Sequence, residues 1–320
     1  IKLYALIGLL VFVNPLFCQT KISGKAAFAG SQKMRVQTYD DLLSYKIKTL
    51  TEVSLDRMGK FEIELNIQKP TYLFFVINYI TGQLMIEPNK KYVLEMTVDS
   101  IYKNPLEISV QDVPMWIEII EPKTGNLMSD LTKMENIIEN FLSVNNRFQQ
   151  IYFLKSKTTL DSLKQILHNE FTTVNNKYLQ VYLKYRFGQI DYITRSKMTK
   201  VLYDEYINGI EIPIDNIAYM QFFNDFFNRY IQSANSKIPK DKLYELINEK
   251  CDYLELLDFI GKDPILVNEI VRELVLMKNL AEIYNISTFN QDNVIKLIYR
   301  LSLTTKFDEH KRIANNIIEM

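Results

Sequence analysis

The spacing of apolar residues changes along this chain, and that change limits the folds open to it. From Thr20 to about Val110 apolar and polar side chains alternate, whereas from about Pro114 onward the apolar ones recur every three to four residues. Alternation turns one face of a strand inward, and the longer period builds the apolar stripe of a helix. The two patterns do not intermingle. They predict an α+β protein of segregated domains: an N-terminal all-β sandwich over residues 19–112 and an all-α helical domain over residues 113–320.

The strand signals in the first part are local. "FEIELNI" places Phe61, Ile63, Leu65 and Ile67 on one side, and "TYLFFVINYI" and "KYVLEMTV" are rich in β-branched and aromatic residues. Turn signals separate them: "DRMGK" before Phe61, "TGQ" at residues 81–83 and "EPNKK" at 87–91. Gly59 suits a tight reversal because it enters positive φ at almost no cost. Strands spaced every 8–12 residues in this way imply a small sandwich.

In the second part the period predicts helices at roughly 130–153, 160–194, 196–208, 216–234, 239–260, 264–285 and 290–318, the last broken near Thr304. Asp263 followed by Pro264 reads as an N-cap and first helical residue, and Thr132 with Glu135 reads as a capping box. The terminal stretch "KFDEHKRIANNIIEM" reads as a helix with Asp308, Glu309, His310, Lys311, Arg312, Asn315 and Asn316 wet, and Ile313, Ala314, Ile317 and Ile318 inward. No stop signal follows it, which raises the expectation that the native chain continues past Met320.

Residues 1–18, "IKLYALIGLLVFVNPLFC", read as an export signal. Lys2 is the remnant of a basic leader, and Leu3 to Val13 form an apolar run too short to span a bilayer, which takes about 20 residues. Cys18 also invites a lipid-anchor reading, but bulky Leu16 and Phe17 before it favour cleavage near Cys18–Gln19. The expected location is the periplasm or cell envelope. Removal of the leader leaves Cys251, which by itself forms no internal disulfide or CxxC pair and reads as a buried, inert thiol. Lys plus Arg equals Asp plus Glu at 38 each, so the net charge attracts neither nucleic acid nor an acidic membrane.

Motifs that carry chemistry fail one by one. His168 and Glu170 in "HNE" resemble half of a zinc-deaminase site but lack the PCxxC that holds the metal. His310 has no Cys or second His beside it, so it reads as a residue of a polar helix face. Asp204 with Glu205, and Asp40 with Asp41, are adjacent carboxylates that point apart and read as solvated surface charge. Tyr178, Tyr182 and Tyr185, spaced i, i+4 and i+7, read as helix packing rather than a ligand ladder, and the interleaved Lys184 and Arg186 do not suffice for single-stranded nucleic acid. There is no GxSxG, P-loop or GxGxxG. These residues predict no catalytic, cofactor or metal site.

Several stretches nevertheless resemble a known family. "ISGKAAF", "DRMGKFEIEL", "YLFFVINY" and "QLMIEPNKKYVLEM" are similar to the N-terminal domain of exported thioredoxin-like proteins of the TlpA and redoxin type in Bacteroidota. Asp56, Gly59 and Phe61 match that family's D-x-x-G-x-F turn. Leu84, Pro88, Tyr92 and Leu94 match its l-x-P-G-x-x-y-x-l hairpin, with Asn89 in place of Gly, a residue that also enters the left-handed region readily. "YLQVYLKYRFGQID", "IPIDNIAYMQFFNDFFNRYI" and "FDEHKRIANNII" resemble its helical region in the same order. The resemblance implies a non-catalytic portion that positions a following W-C-x-x-C thioredoxin fold or recognises a thiol-bearing protein partner. No position here matches the CxxC, so no catalytic residue carries over. A stand-alone peptide- or glycan-binding module is the runner-up, ahead of a free-standing enzyme.

Overall fold

The computed structural model describes residues 19–99, 113–209, 211–234 and 236–320. The leader, with Lys2 and Cys18, lies outside the described residues. The chain divides into two units, one of residues up to Arg35 with Leu50–Asn126, the other of Val36–Thr49 with Leu127–Met320.

The strands are β1 (Thr20–Lys25), β2 (Lys33–Tyr39), β3 (Ile47–Ser54), β4 (Lys60–Leu65), β5 (Thr71–Ile77), β6 (Ile80–Ile86), β7 (Lys91–Val98) and β8 (Val113–Glu121). They form one sheet in the order β3-β2-β5-β6-β8-β7-β1-β4. β1 lies parallel to β7, with Ile22 opposite Tyr92, and antiparallel to β4, with Ile22 opposite Ile63. The alternation seen in the sequence is real: Phe61, Ile63 and Leu65 are buried while Lys60, Glu62 and Glu64 are exposed. Gly59 has φ +77° in the turn before β4, where a Cβ would lie 2.2 Å from the Ala26 carbonyl oxygen. The Asp56 side chain closes the same turn by accepting from the backbone N–H of Met58 and Lys60. Asn89 adopts φ +63° before β7.

β8 corrects the expected boundary. Residues 113–121 were expected to open the helical domain, yet they form a strand antiparallel to β7, with Met115 opposite Val98 and Ile117 opposite Met96. "VPMWIEIIE" alternates, with Val113 and Met115 buried and Pro114, Trp116 and Glu118 exposed. Pro114 breaks nothing, because near the start of a strand the ladder does not need its N–H.

The helices are α1 (Leu127–Ser143), α2 (Arg147–Tyr152), α3 (Lys157–Phe171), α4 (Lys177–Thr194), α5 (Thr199–Leu202), α6 (Ile217–Phe226), α7 (Lys240–Tyr244), α8 (Tyr253–Ile260), α9 (Glu269–Ile283), α10 (Gln291–Thr304) and α11 (Asp308–Ile318). Among the described residues, 127–320 contain no strand. The second unit does include the tip of the β2–β3 hairpin, which departs from the expected helix-only domain. Leu43 of that tip joins the helical core, and Asn224 Nδ2 donates to the Leu42 carbonyl and the Tyr45 hydroxyl.

Several predicted helices are shorter than their apolar period. The stretch 130–153 breaks at Asn145 and Asn146, both in the left-handed region, and 160–194 breaks at residues 172–176, where Asn176 caps α4 through Leu179 N. The stretch 239–260 breaks at Cys251, φ +51°, after a π-helical turn at Glu245–Lys250. The break near Thr304 is present between α10 and α11. Asp263 caps no helix: α9 begins at Glu269 on an Asn268 cap, while the Asp263 carboxylate accepts from Ile265 N, Lys237 N and the Tyr230 hydroxyl. Thr132 and Glu135 lie inside α1 rather than at its start. The core of this unit is aromatic, with Tyr219, Phe222, Phe223 and Phe227 fully buried and ring pairs running from Tyr185 to Tyr230.

Candidate functional site

The helical unit buries carboxylates that its sequence presents as surface charge. Glu273 of α9 and His310 of α11 are both nearly inaccessible, and the His310 Nδ1 lies 2.7 Å from Glu273 Oε2. The Thr305 hydroxyl donates to the same oxygen at 2.6 Å, and the Tyr253 hydroxyl of α8 donates to Oε1 at 3.4 Å. Burial alone would raise the Glu273 carboxyl, but the hydrogen bonds from His310 and Thr305 outweigh it and hold the group below the usual range. His310 therefore does not lie on a wet helix face as expected. With Ile313 and Ala314 it occupies positions i, i+3 and i+4 of the inward stripe, beside the Phe307 ring. Residue type hid what the spacing stated. Asn316, also expected to be wet, is buried too.

A carboxylate beside an imidazole is the orienting half of a nucleophile relay. Here the hydroxyls in contact donate to the carboxylate, so the pair binds α8, α9, α11 and the α10–α11 connection together. No Ser, Thr or Cys among the described residues is hydrogen-bonded to the second ring nitrogen of His310.

Asp191 of α4 is fully buried and takes Lys164 Nζ at 2.6 Å, Lys197 Nζ at 3.0 Å, and the Ser196 and Tyr206 hydroxyls at 2.8 Å each. Burial opposes its ionisation, but these donors prevail and its pKa is lowered. The Tyr206 phenol is pushed well up by burial and by the Asp191 charge. Lys197 is raised despite its partial burial, through Glu205 and Asp191, so its amine is held protonated and is no nucleophile. Asp204 and Glu205 pair with Lys200 and Lys197 on the exposed surface, as their sequence suggests.

Asp40 and Asp41 differ from that expectation. Asp41 is buried and accepts from Leu43 N, Ser44 N and the Ser44 hydroxyl, and Asn316 Nδ2 donates to both carboxylates. Arg312 donates to the Asp40 carbonyl, and Lys48 pairs with the Asp40 carboxylate at 2.6 Å. The two aspartates thus latch the hairpin tip to α11. A long-range contact of this kind leaves no local signature.

The remaining sequence candidates fall apart in space. His168 is exposed near Thr172, and Glu170 pairs with Lys133. Among the described residues no group of three His, Cys, Asp or Glu is placed to hold a metal ion. Tyr185 packs in the core and is pushed up to about 12 by burial, while Tyr182 donates to Glu135. Arg186 grips Glu135 through two nitrogens at 2.7 and 2.6 Å. Cys251 is half-buried at the end of the π-helical turn, its Sγ 3.6 Å from the Asn293 carbonyl, and burial raises its pKa. A raised thiol pKa lowers the thiolate fraction that attacks disulfides.

Each unit also carries one open groove of note. In the first unit a groove of about 780 Å³ runs past Gly24, Phe61, Leu94, Val53, Leu55 and Ile120, beside the edge strand β4. In the second, a groove of about 460 Å³ lies along α1, lined by Ile138, Leu142, Phe148, Ser143, Glu135 and Glu139. No family model matches this chain, and no curated protein matches it.

Proposed function

We propose that residues 19–320 are the non-catalytic recognition and positioning portion of an exported thiol–disulfide oxidoreductase of the TlpA and redoxin type. In this reading a W-C-x-x-C thioredoxin fold encoded with it supplies the redox chemistry in the periplasm or envelope, and the two units hold that fold or its thiol-bearing partner. The eight-stranded sheet folds over its own buried face as a sandwich, since the Ile22, Phe61, Phe75 and Leu94 side of the sheet must be covered. The observation that supports the reading best is the backbone at the two matched turns. Gly59 and Asn89 both adopt the left-handed conformation that the D-x-x-G-x-F and P-G patterns require. The helical unit's buried carboxylates Asp41, Asp191, Asp263 and Glu273, meanwhile, are each engaged by several hydrogen-bond donors of the same unit, which suits a scaffold.

Two measurements test this. Reading the coding sequence beyond Met320 is expected to reveal W-C-x-x-C, and a stop codon there would remove the redox assignment. The chain alone is expected to show no insulin-reduction turnover, whereas turnover abolished by Cys251→Ser would overturn the non-catalytic reading.

A second reading, a peptide-binding module, is favoured by the groove beside β4. The Ala26 N–H donates to the Gly59 carbonyl, so the narrow pairs of the β1–β4 ladder involve Phe61, Ile63 and Leu65, and the backbone groups of Glu62 and Glu64 face away from β1. An extended peptide could add there as a further strand. Protection of the Glu62 and Glu64 amides from hydrogen exchange by a peptide pool would support it.

A further inference from the structure

The net charge of zero hides an uneven distribution. Residues 140–160 contain Arg147, Lys155 and Lys157 and no Asp or Glu. They form the corner where α1 turns through α2 into α3, and this corner carries a dense group of protruding apolar side chains. Phe153 and Leu154 are 71% and 74% exposed, with Val144 and Phe148 close to half exposed.

The exposure is built into the backbone. Asn145 and Asn146 before α2, and Lys155 after it, all take positive φ, so the six-residue helix is a short step between two tight turns. Leu154 N and Phe153 N both donate to the Gln149 carbonyl, which holds the two apolar residues at the outer end of that step. The rings are organised rather than splayed: Phe148 stacks on Tyr152 at 4.6 Å and meets Phe153 edge-on at 6.0 Å. Ile151 beneath them is buried and anchors the corner to the core.

The cations frame this group. Arg147 lies over the Phe141 ring at 4.3 Å, Lys155 Nζ donates to the Tyr152 carbonyl, and neither they nor Lys157 forms an ion pair among the described residues. Of the nearby acids, Glu135 is neutralised by Arg186 and Glu170 by Lys133, which leaves Glu139 on the adjoining helix face and Asp161 one turn after Lys157 in α3, so the three cations outnumber the free acids by one. We propose that this corner docks the protein onto the surface of an anionic phospholipid bilayer, with Phe153 and Leu154 inserted at the acyl boundary and Arg147, Lys155 and Lys157 at the headgroups.

Two physical arguments favour a bilayer over a protein partner. Phe153 and Leu154 protrude from a convex turn, outside the groove that Phe148 lines, and side chains so placed insert readily into a medium that yields around them. Unpaired cations ringing apolar tips match anionic headgroups, each contributing to attraction that salt screens. This inference does not depend on the redox reading above.

The test uses the full chain carrying Trp116→Phe and Leu154→Trp, so that one indole reports from the corner. Vesicles of brominated phosphatidylcholine with about one third phosphatidylglycerol are expected to quench it and shift its emission to the blue, and salt is expected to reverse both. Adding Lys155→Gln and Lys157→Gln should weaken partitioning by about 25-fold, at roughly fivefold for each cation. Retained helical circular dichroism in each variant shows that the fold survives these surface changes. An indole that stays water-exposed with vesicles overturns the proposal. So does one that shifts only with an amphipathic peptide, an outcome that assigns the corner to a protein partner.

Discussion

The buried Glu273–His310 pair shows how much one residue position can decide. Removing His310 takes from the buried Glu273 carboxylate one of its three side-chain donors, at a cost of about 3 kcal/mol for a charged acceptor left short of a partner in a poor solvent. His310→Ala is therefore expected to lower urea-unfolding stability by about that amount, and a loss below about 1 kcal/mol would show the pair to be incidental. Cys251 gives a second residue-scale expectation. With its pKa raised by burial, its thiol should react with a disulfide reagent at pH 7.5 more slowly than free cysteine. A faster reaction would point to an activated thiol.

At the scale of elements, the turns at Gly59 and Asn89 fall where the sequence places them. Residues 81–83, expected to turn, lie inside β6, and the chain reverses instead at residues 78–79, where Asn78 takes φ +56°. Gly59 is required twice over, by its positive φ and by the backbone oxygen that a Cβ would strike. Gly59→Ala is expected to destabilise the strand-rich unit by at least about 2 kcal/mol, since the left-handed backbone alone costs about 1–2 for a residue with a Cβ. At Asn89 the same conformation has room for a side chain. Asn89→Gly should change stability by under about 0.5 kcal/mol, whereas Asn89→Val should cost about 1–2. Thermal melts of the three variants separate these outcomes. Helix ends were less legible. The apolar period runs through residues 130–153 and 239–260 without pause, but left-handed Asn145, Asn146 and Cys251 stop the helices. A break set by packing on both sides need not interrupt the apolar stripe.

For the whole molecule, the buried ionisable groups set a pH window. Asp40, Asp191 and Glu273 all have lowered pKa values in the folded protein. Their contribution is present above the ordinary carboxyl values of 3.8 and 4.5 and is lost as pH falls through the lower folded values. Asp225, raised by burial, has the opposite sign, but it stands alone against three. Tyr92 and Tyr185 are raised to about 12, so their contribution is present below pH 10.0 and is lost as pH rises toward 12. Unfolding followed by circular dichroism should show a stability plateau between about pH 5 and 10 that falls away on both sides. A midpoint insensitive to acid below pH 4 would mean that the buried carboxylates are not ionised in the folded state.

Much of this architecture was legible because it is local. The strand-rich and helical regions followed from periods of two and 3.6, and the positive φ at Gly59 from the absence of a Cβ in a turn sequence. The same logic, applied to spacing rather than residue type, would have placed Val113–Glu121 in the sheet and His310 on the inward face of α11. Other features were not local. Nothing near Asp41 in the chain states that Asn316 will meet it 275 residues later, and nothing near Asp191 names Lys164 as its partner. The sequence by itself determined which stretches form strands or helices and which side chains seek cover, because those depend on neighbours a few residues away. Only the tertiary structure decided which carboxylates are buried and which cations neutralise them, because a charge leaves water only where distant segments supply its hydrogen bonds.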